Sequence, residues 1–474
     1  MTPADKPKRG ELLLTRRQTL AGAAGLAAAT LLPACGPYEG DPLDIELDDV
    51  EVDAQVDALR PQEVTEALPL AATAFSLGVA SAHALNDDGM LAWTCYHGSR
   101  PLELRVWNAS TERTEARARL SSPTAPDGAF VRARLPRLTA GGGYHYAFVE
   151  LDDDGAPLAR SEVGAFTAPS APAATPVVTL AATGCTEFGV PFDVLEAAGR
   201  EQVDAHVLLG DIVYSDDAVG LNGLRGLWHA TMGTPGYRAM RAGAPVMAVW
   251  DDHEFGNNFD PETIDPRRLQ DARRSFFEHL PLERYPQAPG RLWRRHRFGS
   301  TVEVFVLDTR TERRPSTIGT EDLLLSEAQM AWLEDGLRRS TATFKLIVTG
   351  VPITNVPVPE GEGRWPGYVR QREQLLRLCE EEIDGVLFLA GDIHMCWIGR
   401  VSPSGLGANL IEVGAGCGAK ELLNPVSGLF VAPQYLYRAA VNNYATLRFD
   451  AERREVTVTH KTATDVLHQM VLEV

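Results

Sequence analysis

Four short apolar runs between residues 177 and 391 each end on a chemically reactive side chain, and that repeat limits the available folds more than any other feature. VVTLAATG runs into Cys185, HVLLG into Asp211 with Tyr214 three residues on, VMAVW into Asp251-Asp252-His253-Glu254, and VLFLAG into Asp392-Ile393-His394. Runs of Val, Leu and Ala followed by turn residues read as strands buried on both faces. In an open, mostly parallel sheet the carboxyl ends of such strands share one rim, where ligands bind. A thiol, four aspartates, a phenol and two imidazoles are thereby expected on one rim.

Apposed carboxylates do not all stay ionised unaided. At about 4 Å and an effective dielectric near 20, each like-charged pair costs roughly 4 kcal/mol. One Asp after a strand is ordinary turn chemistry. Four such positions exceed what a shared proton absorbs, and bound metal is the economical explanation.

At 474 residues, the chain exceeds a single core and suggests two or three units. A net charge of −19 argues against non-specific nucleic-acid binding and against attraction to an anionic membrane surface. It leaves a phosphorylated substrate open, because a cation-loaded rim is locally positive on an acidic protein.

Residues 1–34 read as an export leader. Lys6, Lys8, Arg9, Arg16 and Arg17 precede a short Ala/Leu stretch, and Thr15-Arg16-Arg17-Gln18-Thr19-Leu20 resembles a twin-arginine signal. Leu32-Pro33-Ala34-Cys35 resembles a lipoprotein processing site, so a periplasmic or cell-surface protein with a lipid anchor on Cys35 is expected. The other cysteines (Cys95, Cys185, Cys379, Cys396 and Cys417) are odd in number and irregularly spaced, which gives no disulfide framework.

Residues 35–70 are acidic and read as a loosely ordered tether. From 71 to 168, short alternating segments separated by Gly, Pro, Asn and Asp predict an all-β sandwich of the fibronectin or immunoglobulin kind. Its histidines His83, His97 and His145 read as surface or strand-packing residues, and Arg294-Arg295-His296 as a solvated strand entrance. The Pro/Ala-rich stretch 169–176 is a stiff linker, and 177–474 alternates strands with helices near 190–202, 266–280, 326–340 and 368–383. NYATLRFD and REVTVTH predict a closing hairpin.

Gly210-Asp211-x-x-Tyr214, Asp251-Asp252-His253-Glu254 and Gly391-Asp392-x-His394 occur in the order and spacing of a binuclear metallophosphoesterase, altered in a particular way. Cys185 stands at the first strand end, Tyr214 replaces the last Asp of the second motif, Asp252 replaces Asn and Asp392 replaces the first His. With FSLGVAS at 75–81, Asn257-Asn258, Asp308-Thr309-Arg310-x-x-Arg313 and Trp365-x-Gly367-Tyr368, the chain resembles the alkaline phosphatase D family over about 70–450. Pro366 stands where that family more often has Asp, and no His follows LIVTGVPIT.

The resemblance implies an α/β metallophosphoesterase sandwich, central mixed β-sheets flanked by helices. It implies hydrolysis of small phosphomonoesters or phosphodiesters by a metal-activated water, and a monomer is expected. It further implies a binuclear centre of Fe3+ and Ca2+, or another divalent ion, held by Cys185, Asp211, Tyr214, Asp252, Asp392 and His394. Catalytic roles fall to His253, which meets a phosphoryl oxygen or protonates the leaving group, and to Asn257 and Arg310 as phosphate contacts. Two other readings compete: a purple-acid-phosphatase-like enzyme, which would need GNHE and GHxH, and a surface-tethered binding protein with a decayed site.

Overall fold

Strand-forming runs organise this chain, and in the computed structural model they form four sheets among the described residues. The structure describes residues 43–47, 61–87, 89–120, 128–136, 138–356, 363–420 and 433–473. The export leader and Cys35 lie outside the described residues.

The sheets that carry the site are both mixed. In the first, Val178–Thr183, Ala205–Leu209 and Val246–Val249 run parallel, and Tyr444–Asp450, Glu455–Lys461 and Val466–Glu473 continue it antiparallel. The expected hairpin is the pair 444–450 with 455–461. In the second, Val302–Val306, Phe344–Thr349, Val386–Ala390 and Ile411–Gly414 are parallel neighbours, with antiparallel strands at both edges.

Period-two alternation sorts the second sheet's side chains. Val304, Val306, Leu346, Val348, Leu387 and Leu389 join a core shared with the first sheet. Phe305, Ile347 and Phe388 face the opposite way, into a core with Leu333, Leu337, Leu375 and Leu376 from helices Glu327–Arg339 and Val369–Glu381. Helices Asp193–Ala198, Gly220–Met232, Pro235–Gly243 and Pro266–His279 pack on the first sheet through Leu195, Leu224, Trp228, Met240 and Phe276. The helices at 220–232 and 235–243 escape the sequence reading because glycines interrupt their apolar pattern. Ser326-Glu327-Ala328-Gln329 has the sequence of a capping box, and half of it forms. Ser326 accepts from the Gln329 amide, but the Gln329 side chain turns instead to the backbone of Asp308.

Residues 79–167 build two antiparallel-rich sheets around Met90, Tyr96, Leu104, Val131, Tyr146 and Phe148. The back of one sheet is not solvated. Ala80, Trp93, Cys95 and Phe130 belong to the large core of the α/β layers, and the Trp93 indole donates to the Glu278 carbonyl at 3.1 Å. The expected tether is in part built in: Leu43–Leu47 pairs parallel with Ala129–Pro136, and Pro61–Ala67 is helical with Val64 buried. The alternation Leu43-Asp44-Ile45-Glu46-Leu47 is a strand pattern that the acidic composition hides. Arg294 and His296 are buried, so that strand is not the solvated entrance expected of it. Among the described residues, no helix is long and apolar enough to cross a membrane.

Candidate metal centre

Five of the site residues sit two or three positions past a parallel strand. Cys185 follows Val178–Thr183, Asp211 follows Ala205–Leu209, Asp251 and Asp252 follow Val246–Val249, and Asp392 follows Val386–Ala390. Parallel registers make these ends neighbours. The turns are tight. Cys185, Asp211, Asp392 and His394 adopt φ of 53°, 52°, 69° and 54°. Such left-handed backbone costs a side-chain-bearing residue roughly 1–3 kcal/mol and persists where surrounding contacts enforce it. Gly210 has no such freedom to change: a Cβ there would come within 2.6 Å of the Asp251 Cβ.

Three ligand-bearing groups result, each with its donor atoms within 4.8 Å of one another: Cys185, Asp211 and His394; Asp211, Asp252 and His253; and Asp251, Asp252 and Asp392. Asp211 is common to the first two. Its Oδ2 lies 3.6 Å from the Cys185 Sγ and 3.4 Å from the Tyr214 hydroxyl, which is 3.0 Å from the His394 Nε2. Thus all six sequence-nominated donors converge.

The two halves of the site differ in charge balance. Around Cys185 and Tyr214, burial followed by the Asp211 charge pushes both acids well above their usual ranges. Burial, reinforced by Lys420, lowers His394 to about 4 and leaves it the neutral imidazole a ligand needs. On the other side, burial pushes Asp251 up to about 7 although the Arg310 guanidinium pulls it down. Arg310 forks onto Asp251 through Nε and Nη2, and its Nη2 stands 3.4 Å from Asp252 and 3.5 Å from Asp392. Arg364 pairs with Asp392.

Four residues outside the nominated ligand and catalytic set prove to hold the site. Asp216 accepts from His253 Nδ1 at 2.8 Å, which leaves Nε2 as the free ring nitrogen, and it also accepts from the Asn257 amide. Glu254 accepts the amides of Asp211, Ile212 and Asp251, tying two strand ends together. Lys420 lies 3.7 Å above the Tyr214 ring, and Arg364 holds Asp392. Asp216 had one available signal, an acid two residues past a ligand tyrosine. Against burial, which pulls it down, His253 is pushed up to about 10 by Asp211, Asp216 and Asp252. Arg310 is at the site, but its fork is spent on Asp251. Asn257 is exposed beside His253.

Comparison with known proteins agrees with this fold. The solved structure of PhoD matches with a TM-score of 0.71 and 19% identity, covering 84% of this chain and 88% of that one. The purple acid phosphatase PPD1 from yellow lupin (Lupinus luteus) seeds matches with a TM-score of 0.59 and 13% identity, covering 83% and 73%. Alkaline phosphatase D of Bacillus subtilis (strain 168) is 23% identical over 398 residues, 71% of this chain and 67% of that protein. A family model described as PhoD-like phosphatase matches residues 180–463, which contain every strand end described above. The chain belongs to the PhoD-like phosphatase family and is a phosphoric ester hydrolase.

Proposed function

We propose that this chain is an exported, metal-dependent phosphatase acting on phosphomonoesters and phosphodiesters through a centre of two unlike cations. The convergence of Cys185, Asp211, Tyr214, Asp252, Asp392 and His394 at the ends of separate strands carries the reading.

The donors fit such a pair. A phenol and a thiol that burial keeps protonated become ligands only beside a strongly polarising ion, and trivalent iron suits the Cys185, Tyr214 and His394 side. The all-oxygen side, Asp252 and Asp392, suits calcium or another hard divalent ion. Arg310 and Arg364 already offset part of its charge, so this half holds its ion more weakly. Asp211 bridges. When bound, the pair supplies Lewis acidity for in-line displacement at phosphorus.

The chain's own residues do the rest. Asp216 fixes the His253 ring and its proton, so Nε2 offers a hydrogen bond to a phosphoryl oxygen or a proton to the leaving group. Asn257 stands at the exposed side for a phosphate contact, and Arg310 holds Asp251 and Asp252 in place. The twin-arginine motif at 15–20 and Cys35 support export and lipid anchoring of a monomer, with the N-terminal β-sandwich as a separate domain docked on the catalytic layers. The test is elemental analysis of the purified chain together with rates on nitrophenyl and bis-nitrophenyl phosphate. Iron plus a second ion and turnover of both esters are expected. A chain that hydrolyses esters without bound metal would refute the centre.

A further inference from the structure

Outside this centre, two more sets of ligating side chains come together among the described residues. One is Cys95, His97 and His229, where His97 is partly exposed, and the other is a buried set where the N-terminal sheet meets the edge strand Arg294–Phe298. His83, at the end of strand Val79–His83, Asp87 in the following turn, and His296 each offer one ligating atom, all within 4.8 Å of one another. The Nδ1 atoms of His83 and His296 stand 3.5 Å and 3.3 Å from the same oxygen, Asp87 Oδ1. Nitrogen and oxygen ligands about 2.0–2.1 Å from a tetrahedral ion are themselves ~3.3 Å apart. The two His–Asp spacings are therefore those of ligands around one small cation.

A hydrogen-bonded clamp accounts for only part of it, the contact of His296 Nδ1 with Asp87 Oδ1 at 3.3 Å. The His83 Nδ1 is buried without a hydrogen-bond partner despite its approach to Asp87, and the His296 Nε2 is likewise buried and unpartnered. The residues are 5% and 2% exposed. Asp87 is held in a ligating pose, since its Oδ2 accepts the Arg297 amide at 2.8 Å and leaves Oδ1 toward both imidazoles. His83 and Asp204 line a common cavity of about 10 Å³, room for one water beside the ring. Two imidazoles and one carboxylate, with no thiolate, are the donors of a zinc-class divalent ion.

We infer that His83, Asp87 and His296 bind a late first-row divalent cation that clips the N-terminal sandwich to the edge of the seven-stranded sheet. Its binding energy adds to folding, because the ligands come from segments far apart in sequence. The test uses the full chain, stripped with chelator, reloaded with zinc and desalted. Wild type should retain about one more zinc per chain than folded His83→Gln or His296→Gln. Zinc should also raise the wild-type Tm more than that of the variants, with nitrophenyl phosphate hydrolysis equal in all three. Anomalous diffraction at the zinc edge on wild-type crystals decides the matter even if neither variant folds. A peak between the two Nδ1 atoms and Asp87 Oδ1 is expected. Equal zinc in wild type and variants, or no peak there while the strand-end centre is occupied, would overturn the assignment.

Discussion

Tyr214 is the residue whose chemistry most narrows the metal. Its hydroxyl touches Asp211 and His394, and only a strongly polarising cation ionises it there. Tyr214→Phe should remove visible charge-transfer absorbance and most activity, and an absorption spectrum of the purified variant checks this; a coloured, active variant rules the ligand out. Asp216 acts through His253. Asp216→Ala should lower kcat about 10–100-fold with metal content unchanged, as loss of an orienting carboxylate does elsewhere. Arg310 makes a different prediction from a phosphate clamp. Removing its guanidinium strands Asp251 in the interior, so Arg310→Ala should cost about 3–5 kcal/mol in denaturant melts. A variant that melts normally and changes only KM would return Arg310 to phosphate binding.

The strand ends explain why much of the site was legible in the sequence. Each parallel strand delivers its following residue to one rim, so Cys185, Asp211, Asp252 and Asp392 follow from periodicity alone. Asp216, Lys420 and Arg364 arrive on loops, whose path no period encodes. The strand Leu43–Leu47 was hidden by its charges, and the docking of Trp93 on Glu278 by the ordinary look of a sandwich strand. His83 and His296 could not be paired from sequence, since more than two hundred residues separate them. Glu254 joins two of these elements by accepting three amides. Glu254→Ala should destabilise the chain by about 1–3 kcal/mol and lower metal content with it, measured by urea melts and elemental analysis on one preparation. Unchanged stability would mean that the strand ends do not depend on it.

For the molecule as a whole, folding and catalysis meet in how charge is managed. An acidic chain gathers carboxylates, a thiol and a phenol on one rim, offsets part of one half's charge with Arg310 and Arg364, and leaves the rest to a cation in each half. Asp211 lies between the halves and reaches both, so it is the residue on which two-ion binding depends. The most direct test compares metal content of wild type and Asp211→Ala, both confirmed as folded by circular dichroism, by elemental analysis after identical desalting. Wild type should carry the pair, and the variant should lose both strand-end ions together with activity. Undiminished strand-end metal in the folded variant would contradict the shared centre.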